Sequence, residues 1–543
     1  MTRTVLVFGG LGVFGRHLVD GLVRSTDWRV IVASRRDAAL PPDWPADRVS
    51  HRRLDAARAT SDDLRATGAF AVVDAAGPFQ AGGYGLPRAC IAARLHYLDL
   101  ADARDFVAGF GALDAEARAA GIVALTGVSS TPALSHAALD RLTQGWQQVD
   151  TVEIAIAPGN QAPRGLSVIR AILSYAGRPV RVWLDGRWTE RPGWGLTVRR
   201  EIPGLGRRWL SLCETPDLDL VPVRFHPRRA ALFRAGLELS FLHLGLAALS
   251  LSVRAGWPRS LLPFAGAFRR AADAVAGLGS ARGGMIVEAH GLDTDGNPAE
   301  ARWVLLAEGG DGPKIPTVAT LAALRALSDG RLPAGAGPCV GLLPLDAIEA
   351  ELPHPNVTTC VVHRNRAPLF ARALGSSVAA MPAAVQRLHE PGWWLAAAGR
   401  ARVDGPTTRL AGLVARLFGF PPASDDTPVR VTIAATDIGE HWVRDFGGRR
   451  FESRLRPGME GGLRERFGPF TFDLDVPCDA SGLRMAVRGW RLGPIPLPRM
   501  LAPVSDASET VDAEGRFRFD VTIGLPLGLG RMVRYRGWLV PGA

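Results

Sequence analysis

Three glycines near the N-terminus have a spacing that can hold the pyrophosphate of a dinucleotide. Gly10, Gly12 and Gly15 follow the pattern G-x-G-x-x-G. In this pattern the first glycine permits a tight turn, the second lets the backbone approach the phosphates, and the third lets a helix pack closely on the preceding strand. The amides at the start of that helix then face the anion. The residues expected to contact it are Gly10, Leu11, Gly12, Val13, Phe14 and Gly15. A glycine turn with a purely structural role is the alternative.

A basic cluster about twenty residues beyond the glycines bears on which dinucleotide is bound. A domain that prefers NAD has Asp or Glu here to bind the ribose 2′-hydroxyl, but this chain has Ser34, Arg35 and Arg36. A carboxylate would repel a 2′-phosphate, whereas serine and arginine can donate hydrogen bonds to it, and those from arginine are charged. The sequence therefore predicts NADP in preference to NAD. A pair of solvated surface arginines is the alternative.

Buried strands and helices alternate around these residues. Residues 5–8 are an apolar run typical of a strand that is buried on both faces, and Leu18, Leu22 and Val23 recur at helical spacing. Further strands are predicted at residues 28–33, 70–74, 96–100 and 122–125, and another ends at residues 54–55. This alternation predicts an α/β domain with a Rossmann-type, doubly wound parallel sheet.

Ligands of such sheets bind in the loops at the carboxyl ends of the strands. Asp55 is expected near the adenine, and the loop after the fourth strand beside the nicotinamide ribose. The residues of that loop expected at the cofactor are Ala76, Gly77, Pro78 and Phe79. Ser130 is expected to bind the carboxamide, because the sequence places no histidine that could activate it as a nucleophile.

Four stretches in this order resemble the saccharopine dehydrogenase-like (saccharopine reductase-like) NADP-binding proteins. They are residues 10–15, 74–79, 90–102 and 129–132. The resemblance implies that the loop after the fourth strand and the Tyr-x-Asp segment face the cofactor and the substrate. By this implication the facing residues are Gly77, Pro78, Phe79, Tyr97, Asp99 and Asp102. A weaker similarity to uncharacterised members continues through residues 150–350.

Hydride chemistry needs a group that donates or accepts a proton, and Tyr97 and Asp102 are the candidates. His96 ranks behind them, because a lone histidine beside a strand is more often a packed one. A Tyr-x-x-x-Lys pair of the short-chain dehydrogenase type is excluded, since Lys314 is the only lysine and Gly310 stands four positions before it. The chemistry is therefore expected to differ from that of short-chain dehydrogenases.

Composition limits the remaining classes. Five scattered cysteines indicate neither a zinc site nor a disulfide framework, so no metal is expected, and they fit a reducing compartment. The net charge is +11, but the basic residues are spread along the chain, and we expect no nucleic-acid partner. Glycines break the N-terminal apolar run and no cleavage site follows, which indicates a cytoplasmic protein and no signal peptide.

Three domains are predicted. Residues 1–149 form the NADP-binding domain, residues 150–352 an α+β domain with an antiparallel sheet for substrate binding or dimerisation, and residues 353–543 a mostly β domain. Residues 353–368 read as a linker, followed by helices that include residues 393–395, and then by short strands typical of an antiparallel sandwich or half-barrel. Residues 451–454, 468–470, 496–498 and 534–538 resemble a domain of unknown function that is fused to these reductase-like chains.

The segment 235–253 is apolar over almost the length of a membrane span. Glu238, His243 and arginines on both sides argue against spanning. A buried or interface helix, a helix in a membrane surface and a spanning helix are the three alternatives. Peripheral membrane contact through residues 235–264 and a homodimer are hypotheses for the partners.

Two functions are consistent with these patterns. The first is an NADP-dependent oxidoreductase that moves hydride to or from a small carbonyl, imine or lipid-like substrate, in the cleft between the first two domains. The second is a non-catalytic protein that senses NADPH or binds a hydrophobic ligand, with membrane contact as a further hypothesis. A curved C-terminal sheet with one apolar face could bind such a lipid-like ligand.

Overall fold

A computed structural model describes residues 3–541, apart from residues 81, 164, 366, 391–393, 437 and 459–461. The chain divides into two compact units. The first unit is Met1–His290 with Glu300–His363, and the second is Gly291–Ala299 with Arg364–Ala543.

The N-terminal part of the first unit alternates strictly between strands and helices. Its strands are Thr4–Phe8 (β1), Arg29–Ser34 (β2), Val49–Arg53 (β3), Ala71–Asp74 (β4), His96–Asp99 (β5) and Val123–Thr126 (β6). Its helices are Val13–Ser25 (α1), Ser61–Arg65 (α2), Gly85–Ala93 (α3), Arg104–Gly109 (α4), Asp114–Ala120 (α5) and Ser135–Leu142 (α6).

The middle of the chain is richer in antiparallel pairs. Its strands are Gln148–Ala157 (β7), Pro179–Leu184 (β8), Arg187–Pro192 (β9), Val198–Ile202 (β10), Gly206–Leu212 (β11), Ala230–Ala235 (β12), Gly283–Leu292 (β13), Pro298–Ala307 (β14), Gly335–Pro338 (β15) and Val357–Asn365 (β16). Its helices are Leu166–Tyr175 (α7), Asp217–Phe225 (α8), Ser240–Arg254 (α9), Ala265–Ala274 (α10), Ile315–Ser328 (α11) and Leu345–Glu349 (α12).

The first sheet has the order β15-β6-β5-β4-β1-β2-β3, and all of its pairs are parallel. The chain order reverses between β1 and β4, which makes this edge the switch point where ligands of open α/β sheets bind. Val5, Leu6 and Val7 are fully buried because helices cover both faces. The prediction of a doubly wound parallel sheet is confirmed. The edge strand β15 arrives only after the chain has built most of the second sheet.

The second sheet runs β10-β11-β12-β7-β13-β14-β16, with β8 joining β12 to β9. Its α+β character agrees with the prediction. In the turn between β13 and β14, Oδ1 of Asp293 accepts hydrogen bonds from the amides of Asp295 and Asn297. One pair, β7 with β12, is parallel. The sheet is therefore mixed, which the alternation of single strands could not indicate.

The second unit is mostly β. Its helices are Leu369–Leu374 (α13), Ala383–His389 (α14) and Arg409–Leu417 (α15). Its strands are Trp394–Asp404 (β17), Ser424–Ala435 (β18), Glu440–Phe446 (β19), Arg449–Pro457 (β20), Leu463–Phe467 (β21), Phe470–Asp475 (β22), Cys478–Asp479 (β23), Gly482–Leu492 (β24), Ile495–Leu497 (β25), Val504–Val511 (β26), Phe517–Gly524 (β27) and Arg531–Pro541 (β28).

These strands close into an antiparallel barrel. The order is β22-β21-β20-β19-β18-β17-β28-β27-β26-β24, and a further pairing of β24 with β22 completes the ring. The predicted mostly β fold is confirmed. Two local predictions are wrong: residues 353–368 contain β16, and Trp394 and Leu395 begin β17, whereas Trp393 lies outside the described residues. The alanine-rich run after Trp394 reads as helix, but pairing with β18 and β28 on both sides outweighs that preference.

The apolar segment predicted at residues 235–253 forms α9, which buries His243, Leu246, Ser250 and Val253 on one side. No helix among the described residues has both the length and the apolar character needed to cross a membrane.

Candidate functional site

In the turn between β1 and α1, residues 9–15, the backbone packs closely against other backbone segments. Gly9 has a φ of +72°, and a Cβ atom there would come within 2.7 Å of the Ala75 backbone. Gly10 does not adopt this conformation, and a Cβ on it would meet the Val32 side chain at 2.9 Å. The tight turn therefore depends on Gly9, and its assignment to Gly10 is wrong. Gly10 is needed instead for packing on β2.

The start of α1 is open. Gly12 precedes the helix and is exposed, no described side chain caps it, and the first turn contains no acidic residue. Gly15 packs so closely that a Cβ atom would lie 2.1 Å from the Gly9 carbonyl oxygen. Val13 is exposed, while Leu11 and Phe14 are half-buried. A helix start with no side-chain cap and no acidic residue in its first turn suits an anion such as a pyrophosphate.

The basic cluster lies at the end of the neighbouring strand, since Ala33 on β2 pairs with Phe8 on β1. Arg35 and Arg36 are exposed, and neither forms an ion pair with any residue that the structure describes. The Ser34 hydroxyl donates to the Arg36 carbonyl at 2.6 Å and contacts Nε2 of His51 at 2.8 Å. The two guanidinium groups are therefore free to bind an anion, whereas Ser34 already has partners.

The loops after β3 and β4 reach the same edge of the sheet. Asp55 is half-buried and its Oδ1 accepts the Ala57 amide at 3.1 Å. Ala76, Gly77 and Pro78 are exposed. Because Ala76 Cα lies 2.8 Å from the position that a Gly9 Cβ would take, the loop after β4 rests directly on the glycine turn.

Side-chain contacts hold the end of this loop. Phe79 packs against Phe106 of α4, with ring centroids 5.4 Å apart. Gln80 donates to Oδ1 of Asp102 at 3.3 Å. The loops that follow β4 and β5 are thus joined.

Two carboxyl groups, one half-buried and one fully buried, stand side by side at the ends of β4 and β5. Asp74 and Asp99 are register partners. Burial raises the pKa of Asp74 to about 6 and that of Asp99 to about 7. Oδ1 of Asp99 accepts three hydrogen bonds, from the amides of Ala101 and Gly127 and from the Thr126 hydroxyl, at 2.8–2.9 Å. Asp99 thereby fixes the loops after both β5 and β6.

Tyr97 and His96 do not reach this edge. Tyr97 is completely buried against Phe110, and burial raises the pKa of its hydroxyl well above 10. A phenol in that environment cannot touch a substrate. His96 begins β5, at the amino end of the strand, and its Nδ1 accepts the Val123 amide at 3.0 Å. The placement of both residues argues against the catalytic roles predicted for them.

Asp102 is the one predicted acid that remains accessible. Its side chain is exposed, but desolvation by the surrounding protein raises its pKa. Burial is the main cause of the raised pKa of the Tyr175 hydroxyl and of the Cys213 thiol, at the ends of α7 and β11, and the charge of Asp102 makes a smaller contribution to both. Tyr175 and Cys213 lie 2.9 Å apart. An accessible acid with a perturbed pKa in such surroundings is a candidate for proton transfer.

A buried ion pair fixes the second sheet domain against this edge. Arg104, the first residue of α4, donates through Nε to Oδ2 of Asp219 on α8 at 2.6 Å and through Nη1 to the Arg181 carbonyl at 2.8 Å. Its Nη1 also lies 3.9 Å from Glu214, whose pKa is raised by burial. Ser130 is half-buried at the start of the turn after β6. No local sequence pattern points to Arg104, Tyr175, Cys213 or Glu214, because their proximity comes from the tertiary fold.

Comparison with known families identifies both ends of the chain. Residues 5–125 match the saccharopine dehydrogenase NADP binding domain. The chain therefore begins with a saccharopine dehydrogenase-type NADP-binding domain. Residues 381–539 match the domain of unknown function DUF4166, which confirms both resemblances. The NADP-binding domain supports a nicotinamide cofactor and an oxidoreductase that acts on a small molecule.

Among solved structures, the apo saccharopine dehydrogenase (L-Glu forming) of Saccharomyces cerevisiae is 13% identical, with a TM-score of 0.46 over 66% of this chain and 100% of that one. An amine dehydrogenase of Mycobacterium smegmatis is 13% identical, with a TM-score of 0.32 over 63% and 96%. GenD2 of gentamicin A biosynthesis, solved with NAD, is 14% identical, with a TM-score of 0.28 over 65% and 92%. No curated protein sequence matches the chain.

The packing of α1 in the NADP-binding domain predicts the effect of Gly15→Ala. The new Cβ atom would meet the Gly9 carbonyl at 2.1 Å, so the turn must open. We expect the melting temperature to fall and NADPH binding, followed by fluorescence titration, to weaken at least tenfold. Gly85→Ala at the start of α3 adds the same atom in open space and should leave both quantities unchanged. Unaltered NADPH affinity in the Gly15 variant would contradict this role of the turn.

Proposed function

We propose that the protein is an NADP-dependent oxidoreductase whose substrate binds between the edge of the first sheet and the second sheet domain. The observation that carries this proposal is the open glycine turn beside two arginines that have no ion-pair partner among the described residues. When bound, NADPH supplies hydride to a carbonyl or imine carbon, or NADP⁺ accepts it in the reverse direction. The remaining chemistry belongs to side chains of this protein.

The residues at the carboxyl edge divide the binding of the cofactor among them. The amides of residues 10–15 bind the pyrophosphate, and Arg35 and Arg36 bind the 2′-phosphate. Asp55 lies on the adenine side, while residues 76–79 and Ser130 hold the nicotinamide ribose and the carboxamide. The placement of these loops along one edge of a parallel sheet supports this division. Preference for NADP over NAD rests on the two arginines alone.

Asp102 is the acid that we propose for proton transfer. Its raised pKa keeps part of the carboxyl protonated at a pH where an ordinary aspartate is fully ionised. Gln80 contacts one carboxyl oxygen and so orients the group. The charge of Asp102 reaches the buried Tyr175. The half-buried Glu214 lies 3.9 Å from Arg104, and we expect it to line the substrate side of the site.

A surface of the second sheet domain, formed by α9, α10 and the turn between them, supports a second proposal, peripheral contact with a membrane. Phe241, Leu251 and Phe264 are exposed there, and Trp257 is 81% exposed. Arg254 and Arg259 are exposed in the same segment, where they could meet anionic lipid headgroups. Exposed aromatic and aliphatic side chains interleaved with arginine are typical of a helix that lies in a membrane interface. A homodimer through the same surface is the competing proposal.

Replacement of Arg35 and Arg36 by alanine tests the choice of cofactor. Each charge-assisted hydrogen bond to a phosphate is worth about 1.5–3 kcal/mol, so we expect NADPH affinity to fall at least tenfold while NADH affinity changes little. Spectral titration with both nucleotides measures this. Arg29→Ala, at the amino end of β2, removes an exposed arginine far from the turn and serves as control. Equal losses of affinity for NADPH and NADH would show that the two arginines do not select the 2′-phosphate.

Replacement of Asp102 by asparagine tests proton transfer. In the reducing direction the protonated carboxyl is the active form, so activity falls as pH rises through the raised pKa. The variant should lose this pH dependence and roughly 100- to 10,000-fold in kcat, with NADPH binding intact. Oxidation of NADPH with a panel of carbonyl and imine compounds gives the readout, and exposed Asp105→Asn is the control. NADPH binding without turnover of any compound would favour a sensor.

Vesicle flotation tests the membrane surface. Wild-type protein should float with vesicles that contain phosphatidylserine. The double variant Trp257→Ser, Phe264→Ser should remain in the dense bottom fraction. Val223→Ser removes an exposed apolar side chain on α8, away from this surface, and should float normally. If the wild type does not float and light scattering shows a dimer that the double variant loses, the surface binds a second copy instead.

A further inference from the structure

The barrel of the second unit encloses a cavity of about 350 Å³. Ten strands form its closed path. Side chains can just fill the interior of an eight-stranded barrel. A ring of ten strands is wider and leaves space inside. The volume lies in the range of roughly 300–1,000 Å³ that is usual for sites of small ligands.

The wall of this cavity is mainly apolar. Phe451, Phe467, Phe472, Phe519 and Trp490 project into it from five different strands. Close-packed interiors do not leave space of this size, and apolar cavities do not hold ordered water. The lining therefore fits a hydrocarbon chain or ring system better than any polar metabolite.

A few polar side chains interrupt this wall. Arg444 donates to the Ser453 hydroxyl at 2.9 Å, lies 3.7 Å from Glu465, and stacks over the Trp442 ring at 5.1 Å. The guanidinium group is thus already neutralised by a carboxylate. Tyr535 is only 7% exposed and lines the cavity, yet its hydroxyl has no hydrogen-bond partner among the described residues.

The charges around Tyr535 define what it can bind. Burial raises the pKa of its hydroxyl to about 12; Arg444 opposes this rise, and Glu465 and Glu509 add to it. The phenol is therefore a neutral donor at physiological pH. Because Arg444 is already paired with Glu465, a further anion would be buried without a cation to balance it.

The cavity opens at one end of the barrel. His389 on α14 contacts Glu509 through a buried hydrogen bond at the other end. Leu501 lines the cavity and is also 42% exposed, so it stands at the opening. Met500, Leu527 and Leu529, in the two turns nearby, are exposed as well. An apolar rim of this kind eases the entry of a poorly soluble molecule.

We propose that the barrel binds one uncharged amphipathic molecule, mainly hydrocarbon, whose single carbonyl or hydroxyl oxygen accepts a hydrogen bond from Tyr535. This site is separate from the dinucleotide site in its residues and in its chemistry. Binding there does not depend on whether the first unit transfers hydride.

Competition with the neutral dye Nile red on the full-length protein tests the proposal. Dodecane, dodecan-2-one and dodecanoate have similar chains and differ in the polar group. We expect the ketone to displace the dye best, dodecane about fivefold less well, and dodecanoate least at pH 8. Failure of all three to displace the dye, or displacement by dodecanoate as effective as by the ketone, would overturn the proposal.

Tyr535→Phe separates a specific contact from a structural role. The variant should lose about fivefold in affinity for dodecan-2-one and nothing for dodecane, while its NADPH titration and melting temperature stay those of the wild type. Tyr84→Phe removes a hydroxyl in the first unit, where it donates to the Phe106 carbonyl, and should not change binding of either compound. Equal losses for ketone and alkane in the Tyr535 variant would contradict the hydrogen bond.

Discussion

The carboxyl group of Asp99 holds the edge of the first sheet together, because one of its oxygens accepts three hydrogen bonds from the loops after β5 and β6. A buried carboxyl costs free energy unless its partners are in place, so the arrangement is satisfied only when both loops adopt this conformation. Asp102 follows in the same loop, three residues later. The proposed proton donor therefore owes its position to a neighbour that is itself fully buried.

The architecture of the first unit could be largely predicted from local patterns. The apolar runs predict the parallel strands and the glycine spacing predicts the turn, because both features depend on residues close in sequence. The positive φ of Gly9 could not be predicted in this way, since a motif does not show backbone dihedral angles.

The site was harder to predict, because burial and proximity depend on the tertiary fold. Tyr97 is completely buried, and the ring of Phe110 from a later segment stacks against it. Tyr175 and Cys213 approach the edge only through the packing that Arg104 and Asp219 secure. The position of a residue along its strand, by contrast, can be predicted from the sequence. His96 is the first residue of β5, so it lies at the amino end, away from the ligand-binding edge.

The return of the chain to its first sheet affects how the protein is made. About 210 residues separate the end of β6 from β15, which covers the β6 edge. At roughly 5–20 residues per second of synthesis, the first sheet waits some 10–40 s for its last strand. During that time the backbone of β6 presents an unpaired edge of the kind that recruits other chains. The topology therefore creates a period during synthesis in which the chain is prone to aggregate. A chaperone that covers strand edges would act in this period.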